Sequence, residues 1–154
     1  MKVRFVIPGP PFGKQRPRVY PNKSGIGSHA VTPKKTVVYE NLVRTSYCQQ
    51  CKSYRFDDVM LDVRIIAYYP IPKSTSKKKR AQMLAGDIRP TKKPDFDNIG
   101  KVVCDSLNQV AYHNDAQIVD AQVRKFFSDR PRVQVTIAEA KPKREEENAD
   151  EQGT

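Results

Sequence analysis

Residues 2–7, Lys2-Val3-Arg4-Phe5-Val6-Ile7, alternate polar and apolar side chains at the start, the period-two pattern of a first strand. Pro8-Gly9-Pro10-Pro11-Phe12-Gly13-Lys14-Gln15-Arg16-Pro17-Arg18 follows, too rich in Pro and Gly for regular structure, and predicts a loop bearing three cations. Residues 21–31 read as a further turn-rich loop. Thr32-Pro33 reads as an N-cap followed by proline at the first helical position, with Val38, Leu42 and Tyr47 giving residues 33–50 a rough helical stripe. Residues 59–69, dense in β-branched and aromatic side chains, predict a strand that Pro70 and Pro72 end. Ser76 to Ala85 predicts a short helix whose first turn holds Lys77, Lys78, Lys79 and Arg80. Cations there oppose the helix dipole. Residues 118–127 and 132–140 read as two closing strands joined by the turn Ser128-Asp129-Arg130-Pro131. Strands and helices interleave without a dividing linker, so an α/β or α+β single domain with one mixed β-sheet packed by helices is expected.

Charge changes the picture. The 154 residues hold 28 Lys plus Arg against 17 Asp plus Glu, a net charge of +11. Residues 141–154 are the exception, with Lys141, Lys143 and Arg144 against Glu145, Glu146, Glu147, Asp150 and Glu151, so residues 1–140 carry +13. A polyanion is the natural partner for that field, because binding phosphates releases condensed counterions. The tail is charged and free of aromatic residues, and is expected to be disordered outside a 1–140 domain. No apolar run approaches the ~18 residues of a membrane span, and the amino terminus lacks the ~7–15-residue apolar stretch of a secretory signal. Three cysteines make a disulfide scaffold a poor fit. A cytoplasmic protein is expected.

The chemistry concentrates in Lys93-Pro94-Asp95-Phe96-Asp97-Asn98-Ile99-Gly100-Lys101-Val102-Val103-Cys104-Asp105-Ser106-Leu107. At about 100° per residue Ile99, Val102, Val103, Ser106 and Leu107 fall on one side of a helix, and Asp97, Lys101, Asp105 and Asn108 on the other. Asp95 and Asp97 stand at the start, where the dipole favours negative charge. Asp115 follows ten residues after Asp105, just before a strand. Read structurally, Asp95 caps the helix and Asp97 with Lys101 is an ordinary surface pair, worth about 0.3–0.5 kcal/mol. Read chemically, a carboxylate patch directly after Arg89, Lys92 and Lys93 repels the ligand that those cations attract. A bound Mg²⁺ removes the contradiction, since it takes a few carboxylates and leaves positions for water and phosphate.

Lys-Pro-Asp-x-Asp-Asn-x-x-Lys-x-x-x-Asp-x-Leu, followed by Asn-Asp-x-Gln-Ile-Val-Asp, resembles the RusA-type Holliday junction resolvases, as does the opening Pro8-Gly9-Pro10 with Lys14-Gln15-Arg16-Pro17-Arg18. The likeness covers about residues 2–140. It implies a Mg²⁺-dependent, homodimeric endodeoxyribonuclease, with Mn²⁺ able to substitute, that nicks four-way DNA in recombination and repair. It also suggests a phage or prophage origin. Asp95, Asp97 and Asp115 match the metal-binding catalytic acids of such enzymes, and Lys101 their catalytic lysine. Asn98, Asp105 and Asp120 match recurring motif positions and are expected in a supporting layer. Where members often carry Asp-Asp, this chain has Asn114-Asp115. Lys14, Arg16, Arg18, Lys77, Lys78, Lys79, Arg80, Arg89, Lys92 and Lys93 are the expected DNA contacts.

Other signals carry less. Cys48-Gln49-Gln50-Cys51 has metal-ligand spacing, but a structural zinc site takes four ligands and the remaining Cys104, His29 and His113 are scattered. Gly9 to Lys14 lacks the spacing and hydroxyl residue of a phosphate loop. Of the adjacent Tyr68 and Tyr69, one should point into the core. From the residues alone, a Mg²⁺ nuclease on other branched DNA and a non-catalytic DNA-binding module both stay open.

Overall fold

The computed structural model describes residues 1–143. The expectation of a disordered acidic tail lies, from residue 144 onward, outside the described residues. The elements are β1 (Lys2–Pro8), β2 (Arg18–Pro21), β3 (Ser28–Val31), α1 (Lys34–Gln50), β4 (Leu61–Pro70), α2 (Lys77–Ala85), α3 (Phe96–Ser106), β5 (Ile118–Ser128) and β6 (Arg132–Glu139). They form a mixed four-stranded sheet in the order β1-β6-β4-β5, with β4 and β5 parallel and the other pairs antiparallel. This is the expected α+β domain. Among the described residues no helix is long and apolar enough to cross a membrane.

Alternation decides which face of the sheet is covered. Val3, Phe5 and Ile7 of β1 sit opposite Ile137, Val135 and Val133 of β6, which in turn oppose Val63, Ile65 and Ala67 of β4. All nine are buried, and α1 and α3 pack on this side. Each large apolar side chain buried there contributes roughly 1.5–3 kcal/mol. Phe5 meets Tyr47 of α1 edge to face at 5.3 Å. Tyr69 points into this core and Tyr68 to the opposite side, as adjacent strand positions must.

Several boundaries differ from the sequence reading. Residues 18–31 form an exposed two-stranded hairpin, β2 with β3, turning through Gly25 and Gly27 at positive φ. Pro33 itself occupies the cap position of α1, without a side-chain cap bond. Its buried stripe is Thr36, Tyr39, Val43, Ser46 and Tyr47, and Val38 is exposed. Small and amphipathic side chains share the core-facing side here with Val43. Finally, β5 and β6 are joined by a short turn but are not neighbours, because β4 lies between them. Three linking residues reach about 10 Å, enough to pass over the end of one strand.

Candidate active site

Helix α3 buries Ile99, Val102, Val103 and Ser106, with Leu107 just beyond it, and turns Asp97 and Lys101 outward, as the 3.6-residue period requires. Asp95 is its N-cap, with the extended backbone of that position (φ −71°, ψ 153°), and its carbonyl accepts from the Ile99 N–H at 3.1 Å. Its carboxylate makes no capping bond. A capping bond of this kind is worth about 1 kcal/mol, so the fold leaves that stabilisation unused and the carboxylate open. The Tyr69 hydroxyl donates to the Pro94 carbonyl and holds the approach to Asp95 in place. Burial, with the Asp95 charge adding, pushes the Tyr69 pKa up to about 12.

The glycine-rich loop seats against the same helix. A Cβ on Gly13 would lie 2.8 Å from the Pro94 Cβ and 3.2 Å from the Asn98 Cβ, so only glycine allows the approach. The Lys14 N–H donates to the Asn98 carbonyl at 3.2 Å, and Lys14 Nζ reaches Asp105 at 2.6 Å. Asn98 thus anchors the loop, and Asp105 holds a cation that the sequence reading assigns to DNA.

Asp115 opens a short 3-10 turn, Asp115–Gln117. Asn114 caps this turn reciprocally with Gln117: its Oδ1 accepts from the Ala116 N–H at 2.8 Å, and its own N–H donates to Gln117 Oε1 at 3.0 Å. Asn108, at the end of α3, accepts the Asp115 N–H at 2.8 Å, tying turn and helix together. Asn114 therefore has a backbone task of its own. Asp97, Lys101 and Asp115 line one open cleft between α3 and β5, with Phe96, Gly100, Cys104, Ile118, Ala121, Gln122 and Val123. Burial, reinforced by Asp115 and Asp105 and opposed by a hydrogen bond with Tyr112, pushes the Cys104 pKa up to about 11, so its thiol stays neutral.

Asp95, Asp97, Lys101 and Asp115 make no side-chain hydrogen bond or ion pair among the described residues. The three ion pairs there are Lys14–Asp105, Arg44–Glu40 and Arg64–Asp62. The surface pair Asp97–Lys101, the structural alternative, is not formed. Asp95 stands outside the lining of the cleft. Asp120 lies elsewhere, lining a concavity with Asp62, Arg64 and Glu139, because strand alternation points it away from its neighbour Ala121. No three His, Cys, Asp or Glu side chains among the described residues are close enough to hold a metal alone. The unpartnered, all-oxygen donors Asp97 and Asp115 do suit Mg²⁺, which binds through one or two carboxylates and completes its shell with water and phosphate. Cys48, Cys51 and Cys104 are free thiols.

The expected DNA contacts divide. Arg16, Arg18, Lys77, Lys78, Lys79, Arg80, Lys92 and Lys93 are exposed. Ser76 Oγ caps α2 by accepting from the Lys79 N–H, and Gly86, at φ 85°, ends it. Arg89 is exposed too, but fixed: its Nε donates to the Lys125 carbonyl at 2.9 Å and its guanidinium lies 4.2 Å from the Phe126 centroid. Sequence reasoning missed what surrounds it. Arg124 lies 5.3 Å from the same ring, Arg132 lies 4.0 Å from Tyr68, and Tyr68 stacks on Phe126 at 6.2 Å. Basic and aromatic residues adjoin in Arg124-Lys125-Phe126-Phe127, a signal that was there to read.

The family described as endodeoxyribonuclease RusA matches residues 8–138. An uncharacterized protein of Bacillus subtilis (strain 168), YqaN, is 37% identical over 140 residues, covering 89% of this chain and 96% of that protein. The matched span contains the whole α3–β5 cleft and both acid-bearing segments, and this chain belongs to the RusA endodeoxyribonuclease family.

Proposed function

We propose that this protein is a Mg²⁺-dependent resolvase of four-way DNA junctions, acting in the cytoplasm as a homodimer. One observation carries the reading. Asp97, Lys101 and Asp115 share a cleft, and none of the three has a side-chain partner among the described residues, in a chain that carries +13 over residues 1–140. A DNA-binding module gains nothing from unpaired acids facing its ligand, whereas a nuclease needs them.

In this proposal Asp97 and Asp115 would hold Mg²⁺ within the cleft, and Asp95, at the cap of the same helix but outside the cleft lining, would join them only if the DNA-bound state draws it in. When bound, the metal supplies an activated water and offsets charge on the phosphate. Lys101 places a point charge against the phosphate or its leaving oxygen. Tyr69 and Asn108 fix the backbones of the two acid-bearing segments. The cations of α2 and of the loop before α3 draw in the backbone of the DNA arms. A junction presents two symmetry-related strands for cleavage, and a two-fold dimer brings two clefts in matching symmetry.

The test incubates a labelled four-way junction and a matched linear duplex with the protein in Mg²⁺, in Mn²⁺ and in EDTA. Paired nicks on the junction alone, in either metal and not in EDTA, are expected. Equal cutting of flaps and three-way forks favours a general branched-DNA nuclease instead. Binding without cutting in any metal overturns the catalytic reading.

A further inference from the structure

Five of the six phenylalanine rings have a partner. Phe5 meets Tyr47, Phe12 meets Tyr39, Phe56 meets Tyr54, Phe126 meets Tyr68, and Phe127 lies under Lys92. Phe96 has none among the described residues, and it is 64% exposed. It stands between Asp95 and Asp97 in the first turn of α3. Its own helix gives it no cover, because one turn on comes Gly100, where a Cβ would already touch Val123 at 3.6 Å. An exposed phenylalanine between the cap residue Asp95 and Asp97 contributes little to folding, since its apolar surface stays in water.

The cleft beside it explains the placement. Its apolar lining is Phe96, Gly100, Cys104, Ile118, Ala121 and Val123, and its charged groups are Asp97, Lys101 and Asp115. Carboxylates and an ammonium suit a phosphodiester and its metal. They do not account for an aromatic face at the mouth. A nucleotide offers both halves of the complement, since every base has a flat π-face beside its phosphate, and aromatic side chains bind it without regard to sequence. In a continuous duplex that face is covered by the next base pair. At a branch point stacking is interrupted and a face is free.

We infer that Phe96 stacks on an unstacked nucleobase next to the scissile phosphate, and so selects branched over linear DNA when the cleavage site binds. The inference rests on the nuclease reading and names what that site recognises. It makes Phe96 a substrate-contacting residue for which phosphate chemistry alone has no use.

The chain has no tryptophan, so F96W carries a single indole as a reporter. In EDTA, where nothing is cut, four-way junction should quench F96W emission and matched linear duplex should leave it nearly unchanged. F96A should bind the junction about 5- to 150-fold more weakly, the range of one aromatic–base stack, and bind linear duplex as the wild type does. In Mg²⁺ its KM should rise more than its kcat falls, while Phe96→Tyr keeps wild-type behaviour. Unquenched F96W emission, or F96A with wild-type junction affinity, overturns the inference. A drop in F96A mass by light scattering also overturns it, by assigning the ring to a contact between copies. Wild-type junction cleavage with any of these results leaves the nuclease reading standing. A wild-type chain that does not cut the junction fails at that reading, and this inference falls with it.

Discussion

At the start of β5, Asp97, Lys101 and Asp115 have no side-chain partner among the described residues, whereas at its far end Arg89, Lys92, Arg124, Lys125 and Arg132 all rest on aromatic faces. Carbonyls hold some of them further: Lys125 Nζ donates to Lys92 O at 2.8 Å, and Arg132 to Arg130 O at 2.9 Å. None of these five joins an ion pair among the described residues. The difference lies in how each end fixes its charge. A ring face positions a cation for about 0.5–2 kcal/mol without cancelling it, so the far end is ordered and still fully positive. The cleft leaves its acids open, the state in which a carboxylate can take a metal. Cations held on ring faces can meet a phosphate backbone as built, whereas the open acids can be approached only once their negative charge is offset.

The sharpest way to break this contrast is to neutralise the open acids. Asp97→Asn and Asp115→Asn each remove one negative charge from the cleft while leaving its shape. Single-turnover nicking of a labelled junction should fall about 10³-fold or more, as expected when several kcal/mol of charge stabilisation are removed. Junction affinity measured in EDTA should hold or tighten, because a charge that repels phosphate has gone. Nicking at wild-type rates in either variant places the chemistry elsewhere.

Lys101 comes next. With no acid paired to it among the described residues, its charge is open to a phosphate. Lys101→Ala should lower the nicking rate about 10²- to 10³-fold, the effect of deleting one oxyanion donor, with little change in affinity. Lys101→Arg should recover part of this, since charge returns with a different donor geometry. A loss that appears only in KM would make Lys101 a binding residue rather than a catalytic one.

These two regions were not equally legible in the sequence. The cleft was readable because its signal is local: one amphipathic helix fixes Asp97 and Lys101 on its outer side, and Ile99, Val102, Val103 and Ser106 are buried as the period requires. The far end was less so, because Tyr68, Phe126 and Arg132 come from strands that only the pairing of β4 with β5 and β6 assembles, and Arg89 joins them from a separate segment through its bond to the Lys125 carbonyl. Asp120 shows the same limit. Its motif position placed it with the acids, but the two-residue period of a strand turned it to the other face. The hairpin at residues 18–31 was hidden because both its strands are exposed, so no alternation of apolar residues announces them.

The far end and α2 should fail differently from the cleft. Arg124→Ala, or Lys78→Ala with Lys79→Ala, should weaken junction and linear duplex together and leave the rate at saturation unchanged. For every phosphate that a variant no longer neutralises, the slope of log affinity against log salt should flatten by about 0.9. If affinity and slope do not move, these cations serve solubility, and the ring-held cluster has no part in DNA binding.

The smallest expected effect concerns Lys14, which sorts with neither group. Its place in a basic loop groups it with the DNA contacts, yet its ammonium sits 2.6 Å from Asp105, and both side chains are largely covered, at 22% and 24% exposure. A cation neutralised inside the protein adds little to the field that phosphate feels. Lys14→Gln should therefore leave the salt slope of junction binding as it is, unlike Lys78→Ala with Lys79→Ala. The broken pair should lower stability to urea by no more than about 1 kcal/mol, the scale of a partly solvated ion pair. The loop itself should stay seated, because Gly13 against Pro94 and the Lys14 N–H on the Asn98 carbonyl do not involve the missing charge. A slope flattened by about 0.9 would mean that Lys14 leaves Asp105 for a phosphate when DNA binds, and that this loop belongs with the open charges of the cleft.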